Sequence, residues 1–221
     1  MDNYIVYIGR PCYQKNTLFL IDVIAKVHEV YPKVRFMLLG VGFYSPELDE
    51  VKSKIVKLQL EDTLELKPWL DHTEALKYVK ESLFYLTVSR YEGLPLSVIE
   101  AMSLRKAIVA SDVVGNKDCV RDGYNGWLLQ LNIHDFSNAI YRLIEDRSLR
   151  DKFGMNSRLM FEEKFLIENR IKYLEDIYMG KTLNSGDVKN SSCENLPMGG
   201  GIYRIVPMLA EASHEERRWA A

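Results

Sequence analysis

Two carboxylates, a guanidinium and an ammonium group stand at spacings that suit a phosphorylated, hydroxyl-rich ligand. Glu92 and Glu100 lie eight positions apart within the segment Ser89 to Met102, and Gly93, Leu94, Pro95 and Leu96 follow the first of them. Proline suits the first helical position, because its φ is preset and its missing N–H is not needed there. A helix opening at Pro95 leaves Glu92 at its mouth and Glu100 about two turns along its flank. Where such a helix follows a parallel strand, its unpaired N–H groups and positive dipole end favour a phosphate, and Gly93 lets the backbone come close to a ligand. Two carboxylates so placed accept hydrogen bonds from separate hydroxyls of an elongated molecule, such as a sugar joined to a ribose through phosphates. Near the start of the chain, Arg10 follows Gly9 and Lys15 lies five positions beyond Arg10. Both cations make charge-assisted bonds to phosphate, which are the strong ones. On spacing alone the plainer reading is solvated charge, since carboxylates and cations are rarely buried.

Strands must carry these groups to one place. Short apolar runs bounded by turn residues predict strands at 4–8, 34–39, 64–66, 83–88, 107–111 and 127–129. Between them, Asn16 caps a helix whose apolar stripe is Leu20, Ile21, Ile24, Val27, Val30 and Tyr31. Ser45 and Pro46 open a charged helix of about a dozen residues. Asp71, His72 and Thr73 offer a cap for a short helix from Glu74 to Lys80, with His72 read as a capping or solvent-facing side chain. Helical periodicity runs from His134 to about Gly180, with Phe136, Ile140, Leu143 and Ile144 on one stripe. Strictly alternating strands and helices predict an α/β fold: a Rossmann-like parallel sheet with helices on both faces. Gly40-Val41-Gly42 reads as a tight turn, because Ser45 stands where the third glycine of a dinucleotide fingerprint would fall. Residues 114–118 read as a loop at the carboxyl edge, where Asn116 and Lys117 either face a ligand or are simply solvated.

Composition sets bounds. The chain has 221 residues, 47% hydrophobic and 27% charged, with a net charge of −2. That length suits one sizeable α/β domain, expected over residues 1–180, with 181–221 as a poorly structured tail. The charge leaves no footprint for nucleic acid. Three cysteines (Cys12, Cys119, Cys193) and four scattered histidines form neither a disulfide framework nor a metal site. No apolar run reaches the ~20 residues that span a bilayer, and Met1-Asp2-Asn3 begins no signal peptide. A cytoplasmic protein is expected.

The run Glu92-Gly93-Leu94-Pro95-Leu96-Ser97-Val98-Ile99-Glu100-Ala101-Met102 resembles the Glu-x7-Glu signature of the retaining nucleotide-sugar glycosyltransferases of the glycogen-synthase-like and sucrose-synthase-like group (glycosyl transferases group 1). These are built from two facing Rossmann-like domains in a glycosyltransferase B-type fold. The resemblance covers about 180 residues and implies the donor-binding half. It also implies roles. Glu92 lies against the donor sugar, Glu100 binds the ribose hydroxyls, and Gly9, Arg10 and Lys15 match a Gly-Arg and later Lys that hold the donor diphosphate. Glu92, Arg10 and Lys15 become the catalytic candidates, and Gly93, Leu94, Pro95 and Leu96 complete the donor-binding turn. Lys67 and Pro68 fall in the segment that holds the nucleotide base, largely through its backbone; relatives carry a glycine near Pro68, so the choice of base stays open. Gly115-Asn116-Lys117-Asp118 resembles the variant found in transferases of bacterial surface polysaccharides and lipid-linked oligosaccharides. The implied partners are a nucleotide sugar, a saccharide or lipid-linked acceptor, and an N-terminal acceptor-binding domain or subunit. No cofactor or metal is implied, and many relatives work on lipid-linked acceptors at the cytoplasmic, inner membrane face. Two other readings stand beside it: a nucleotide-sugar-binding module without catalysis, or a fragment lacking the acceptor domain. A dinucleotide-dependent sugar epimerase is disfavoured by the missing glycine fingerprint and the missing Tyr-x-x-x-Lys pair.

Overall fold

The computed structural model describes residues 4–42, 44–167 and 171. The chain divides into two compact units, Met1–Phe161 and Glu162–Ala221. The expected tail at 181–221 lies outside the described residues.

Among the described residues six strands form one sheet: β1 (Tyr4–Ile8), β2 (Arg35–Val41), β3 (Leu64–Pro68), β4 (Tyr85–Thr87), β5 (Ile108–Ser111) and β6 (Gly126–Leu129). Their order is β3-β2-β1-β4-β5-β6 and every pairing is parallel. Seven helices accompany them among the described residues: α1 (Thr17–Val30), α2 (Leu48–Lys57), α3 (His72–Glu81), α4 (Leu96–Ser103), α5 (Val114–Cys119), α6 (Ile133–Glu145) and α7 (Arg147–Lys164). Helix α1 packs with α2 and α6, whereas α4 packs with α3 and α5, so each face of the sheet carries its own helical layer. A sheet covered on both faces explains why its strands read as continuous apolar runs rather than alternating ones. Val6, Leu38, Leu86 and Val109 are fully buried, each worth roughly 1.5–3 kcal/mol of burial.

Several expectations are corrected. Asn16 occupies the N-cap of α1 in the left-handed region (φ 55°) and makes no side-chain cap bond; its amide instead reaches across to β4. Val30 is 54% exposed and leaves the stripe of α1, whereas Tyr31 just beyond the helix packs against the core. Helix α2 starts at Leu48, because the Ser45 hydroxyl is engaged by the Gly42 N–H at 3.1 Å. Pro95 is the N-cap of α4, not its first turn. The segment read as a loop at 114–118 is helix α5. The long helical pattern is broken at Asp146, whose carboxylate accepts from the Leu149 N–H at 2.8 Å and starts α7 afresh. The part of that pattern from 172 to 180 lies outside the described residues.

Candidate functional site

Strands β1 and β4 are neighbours in the sheet, yet β1 leads on to β2 on one side and β4 to β5 on the other. This is the switch point of an open α/β sheet, where the loops leaving the strand ends part and expose a crevice. The loop after β1 is folded tightly against its own strand. A Cβ at Gly9 would stand 2.9 Å from the Tyr7 hydroxyl and 3.2 Å from the Lys15 side chain. Tyr7 donates its hydroxyl proton to the Lys15 carbonyl at 2.8 Å, and complete burial pushes its phenol well above the usual value, which keeps it a donor. Three bonds then join this loop to the exit of β4: Asn16 Nδ2 to the Val88 carbonyl (3.2 Å), the Arg90 N–H to the Gln14 carbonyl (2.8 Å) and Gln14 Nε2 to the Tyr91 carbonyl (3.3 Å).

The outcome is a direct contact between two predicted site residues. Lys15 Nζ lies 2.6 Å from Glu92 Oε1, with 22% and 7% of the side chains exposed. Arg10 is exposed and has no hydrogen bond or ion pair among the described residues. The Glu92 carbonyl accepts from the Gly115 N–H at 3.2 Å. A Cβ on Gly115 would stand 2.2 Å from the Gly93 carbonyl oxygen, so α5 reaches the Glu92 turn only because position 115 lacks a side chain. Gly93 itself is exposed, with open space where a Cβ would be. Leu94 and Leu96 are partly exposed beside buried Pro95. No side chain caps α4, so its leading amides and positive dipole end lack a side-chain acceptor.

Glu100 is held from another element. His72 Nε2 lies 3.1 Å from Glu100 Oε1, with 31% and 17% of the side chains exposed. Asp71, not His72, caps α3, accepting from the Glu74 N–H at 2.9 Å. Burial pushes the Glu100 carboxyl above its ordinary value, and His72 opposes that shift. Nothing in the sequence pattern marks this pair, because its members lie 28 positions apart on separate helices. Within electrostatic reach of Glu100 is Tyr85, wholly buried, its hydroxyl without a hydrogen-bond partner among the described residues and its phenol raised by desolvation.

Other candidates lie apart from this cluster or are already engaged. Lys67 is paired with Glu65 at 2.5 Å and lies 5.6 Å from the Tyr78 ring centroid, so its ammonium is taken up locally. Beyond it, Pro68 is exposed and Trp69 is 79% exposed. Asn116 is fully buried, its amide donating to the Ser111 carbonyl and hydroxyl. It therefore braces β5 and presents nothing outward. Lys117 pairs with Asp112 at 3.0 Å. Among the described residues no group of His, Cys, Asp and Glu is arranged to hold a metal, and no helix is long and apolar enough to cross a membrane.

A six-stranded parallel sheet of this order, with cations and carboxylates gathered at its switch point, defines a Rossmann-like domain of the glycosyltransferase B type. The chain belongs to the glycosyl transferases group 1 family, whose family model matches residues 1–160. It is 27% identical over 180 residues to the UDP-Gal:alpha-D-GlcNAc-diphosphoundecaprenol alpha-1,3-galactosyltransferase of Escherichia coli, covering 80% of this chain and 45% of that protein. It is 31% identical over 167 residues to the poly(ribitol-phosphate) alpha-N-acetylglucosaminyltransferase of Staphylococcus aureus (strain COL), covering 74% of this chain and 32% of that one. Among solved structures, a mutant of S. aureus TarM in complex with fondaparinux, alpha-GlcNAc-glycerol and UDP superposes with a TM-score of 0.73 at 28% identity, over 80% of this chain and 35% of that one. The chain thus spans less than half the length of each of these relatives.

Proposed function

We propose that this chain is the donor-binding half of a retaining glycosyltransferase that takes a sugar from a nucleoside-diphosphate sugar, with a uridine nucleotide as the first donor to test. The observation that carries it is the Lys15–Glu92 contact of 2.6 Å between the exits of β1 and β4, with Glu100 further along α4. Arg10, Lys15 and the N-terminus of α4 supply the positive charge that a departing diphosphate needs, placed where that charge develops. Glu92 lies against the sugar, and Glu100 accepts from the ribose hydroxyls. The bond from the anomeric carbon to the β-phosphate oxygen breaks as the acceptor oxygen bonds to that carbon from the same face. The acceptor proton passes to the departing phosphate oxygen, leaving a nucleoside diphosphate. Names of relatives direct the choice of acceptor: one galactosylates a diphosphoundecaprenol-linked sugar and another acts on poly(ribitol-phosphate). A phosphate-bearing acceptor of surface-polysaccharide synthesis is the reading adopted for this chain, at the cytoplasmic side and facing an acceptor-binding domain or subunit.

Calorimetry with uridine diphosphate and a uridine-diphosphate sugar separates the two glutamates. Glu100→Ala weakens both ligands by similar factors, whereas Glu92→Ala weakens only the one bearing the sugar. Equal losses of bare diphosphate affinity in both variants would reverse the assignment. Once an acceptor-binding half is supplied, the anomeric configuration of the product, read by NMR, reports retention or inversion. Intact binding with no transfer in that assembly would leave a binding module.

A further inference from the structure

His72 is the first residue of α3, whose side-chain cap is supplied by Asp71 and not by His72. Its ring is turned onto α4, with Nε2 3.1 Å from Glu100 Oε1. An ionised carboxylate only accepts hydrogen bonds, so Nε2 carries the proton and donates it. One oxygen of Glu100 is thereby held, while Oε2 accepts no hydrogen bond among the described residues and is not sealed off from the surface. A glutamate has three rotatable side-chain bonds, and a carboxylate fixed through one oxygen presents the other in a defined direction. Among the described residues no other side chain bonds that carboxylate, and the buried Tyr85 hydroxyl of β4, within electrostatic reach of it, has no hydrogen-bond partner.

We propose that His72 is a positioning residue, which grips Glu100 by one oxygen so that the other meets the ribose hydroxyls of a bound nucleoside diphosphate. The proposal rests on the assignment of Glu100 to the ribose, and its test keeps the two apart. Calorimetry is run with uridine diphosphate and with its dideoxy analogue lacking both ribose hydroxyls, on the wild-type chain, Glu100→Ala, His72→Ala and His72→Gln. Glu100→Ala weakens the ribonucleotide by roughly 10- to 100-fold and leaves the dideoxy nucleotide within about twofold, the loss expected of hydrogen bonds to a charged acceptor. His72→Ala follows the same pattern at a smaller loss of roughly 3- to 10-fold, that of one hydrogen bond. His72→Gln, whose amide nitrogen reaches the place of Nε2, recovers most of that loss. A merely structural histidine would weaken both nucleotides alike, and that result, or no change in either, overturns the positioning role. If Glu100→Ala discriminates while His72→Ala does not, only the role of His72 falls. If Glu100→Ala fails to discriminate, the ribose assignment falls and takes this proposal with it.

Discussion

Lys15 and Glu92 are buried enough that each depends on the other for stability as well as for any ligand. Removing one leaves the other charge desolvated and alone, which costs about 2–4 kcal/mol at a mostly buried site. Lys15→Met and Glu92→Leu should each lower the urea midpoint, and the double variant should lose clearly less than the sum of the two. Additive losses would show that the 2.6 Å contact contributes nothing. Arg10 is the contrasting case. Because it is exposed and unpaired among the described residues, Arg10→Ala should leave stability within about 0.5 kcal/mol, yet weaken a nucleoside diphosphate by roughly 10- to 150-fold. Residue type and spacing alone left all three side chains as solvated charge; the resemblance of the Glu-x7-Glu run and of the Gly-Arg with its later Lys is what singled them out. The contact between Lys15 and Glu92 was not legible, since no local rule relates residues 77 positions apart.

At the scale of elements, α5 and the Glu92 turn are fitted backbone to backbone. Gly115→Ala drives a methyl group against the Gly93 carbonyl, and neither partner is a flexible side chain that can swing away. A loss of about 1–3 kcal/mol by overpacking is expected, together with weaker nucleotide binding as the turn shifts; unchanged melting and affinity would show that α5 slides freely. The sequence pattern hid this element, because six residues are too short for a helical period to emerge. On the opposite edge of the sheet, Lys106 closes the end of α3, its Nζ donating to the Lys80 and Ser82 carbonyls at 2.7 and 2.6 Å. Burial, aided by Arg150, pushes this amine down to about 8 from 10.5. Between those two values the unfolded chain holds the extra proton, so this group's contribution to stability rises with pH from about 8 and is complete above 10.5. A neutral amine keeps two N–H donors, enough for both carbonyls. The stability difference between the wild-type chain and Lys106→Met should therefore grow from pH 8 to pH 10, by at most about 1.4 kcal/mol per pH unit; a flat difference would show that the ammonium persists.

Over the whole molecule, apolar runs between turn residues were enough to place six strands, because a sheet buried on both faces leaves no polar positions to blur them. The positions of the candidate residues were legible too, since Glu92, Arg10 and Lys15 fall at strand exits and Glu100 on the helix after β4. What escaped the sequence lies between elements: the His72 grip on Glu100, the Asn16 tie to Val88, and the inward turn of Asn116. That same architecture constrains how the protein comes to fold. The central pairing sets Val6 beside Tyr85, and the bonds that assemble the crevice join residues 72 and 77 positions apart. Contacts of such long range are entropically slow to close. On the proposed donor-binding reading, a nucleotide cannot serve as a template for the early chain, because the proposed site is not assembled until β4 has docked on β1. On dilution from urea, helical circular dichroism should recover ahead of nucleotide binding, and binding should return with the rate of the slowest folding phase.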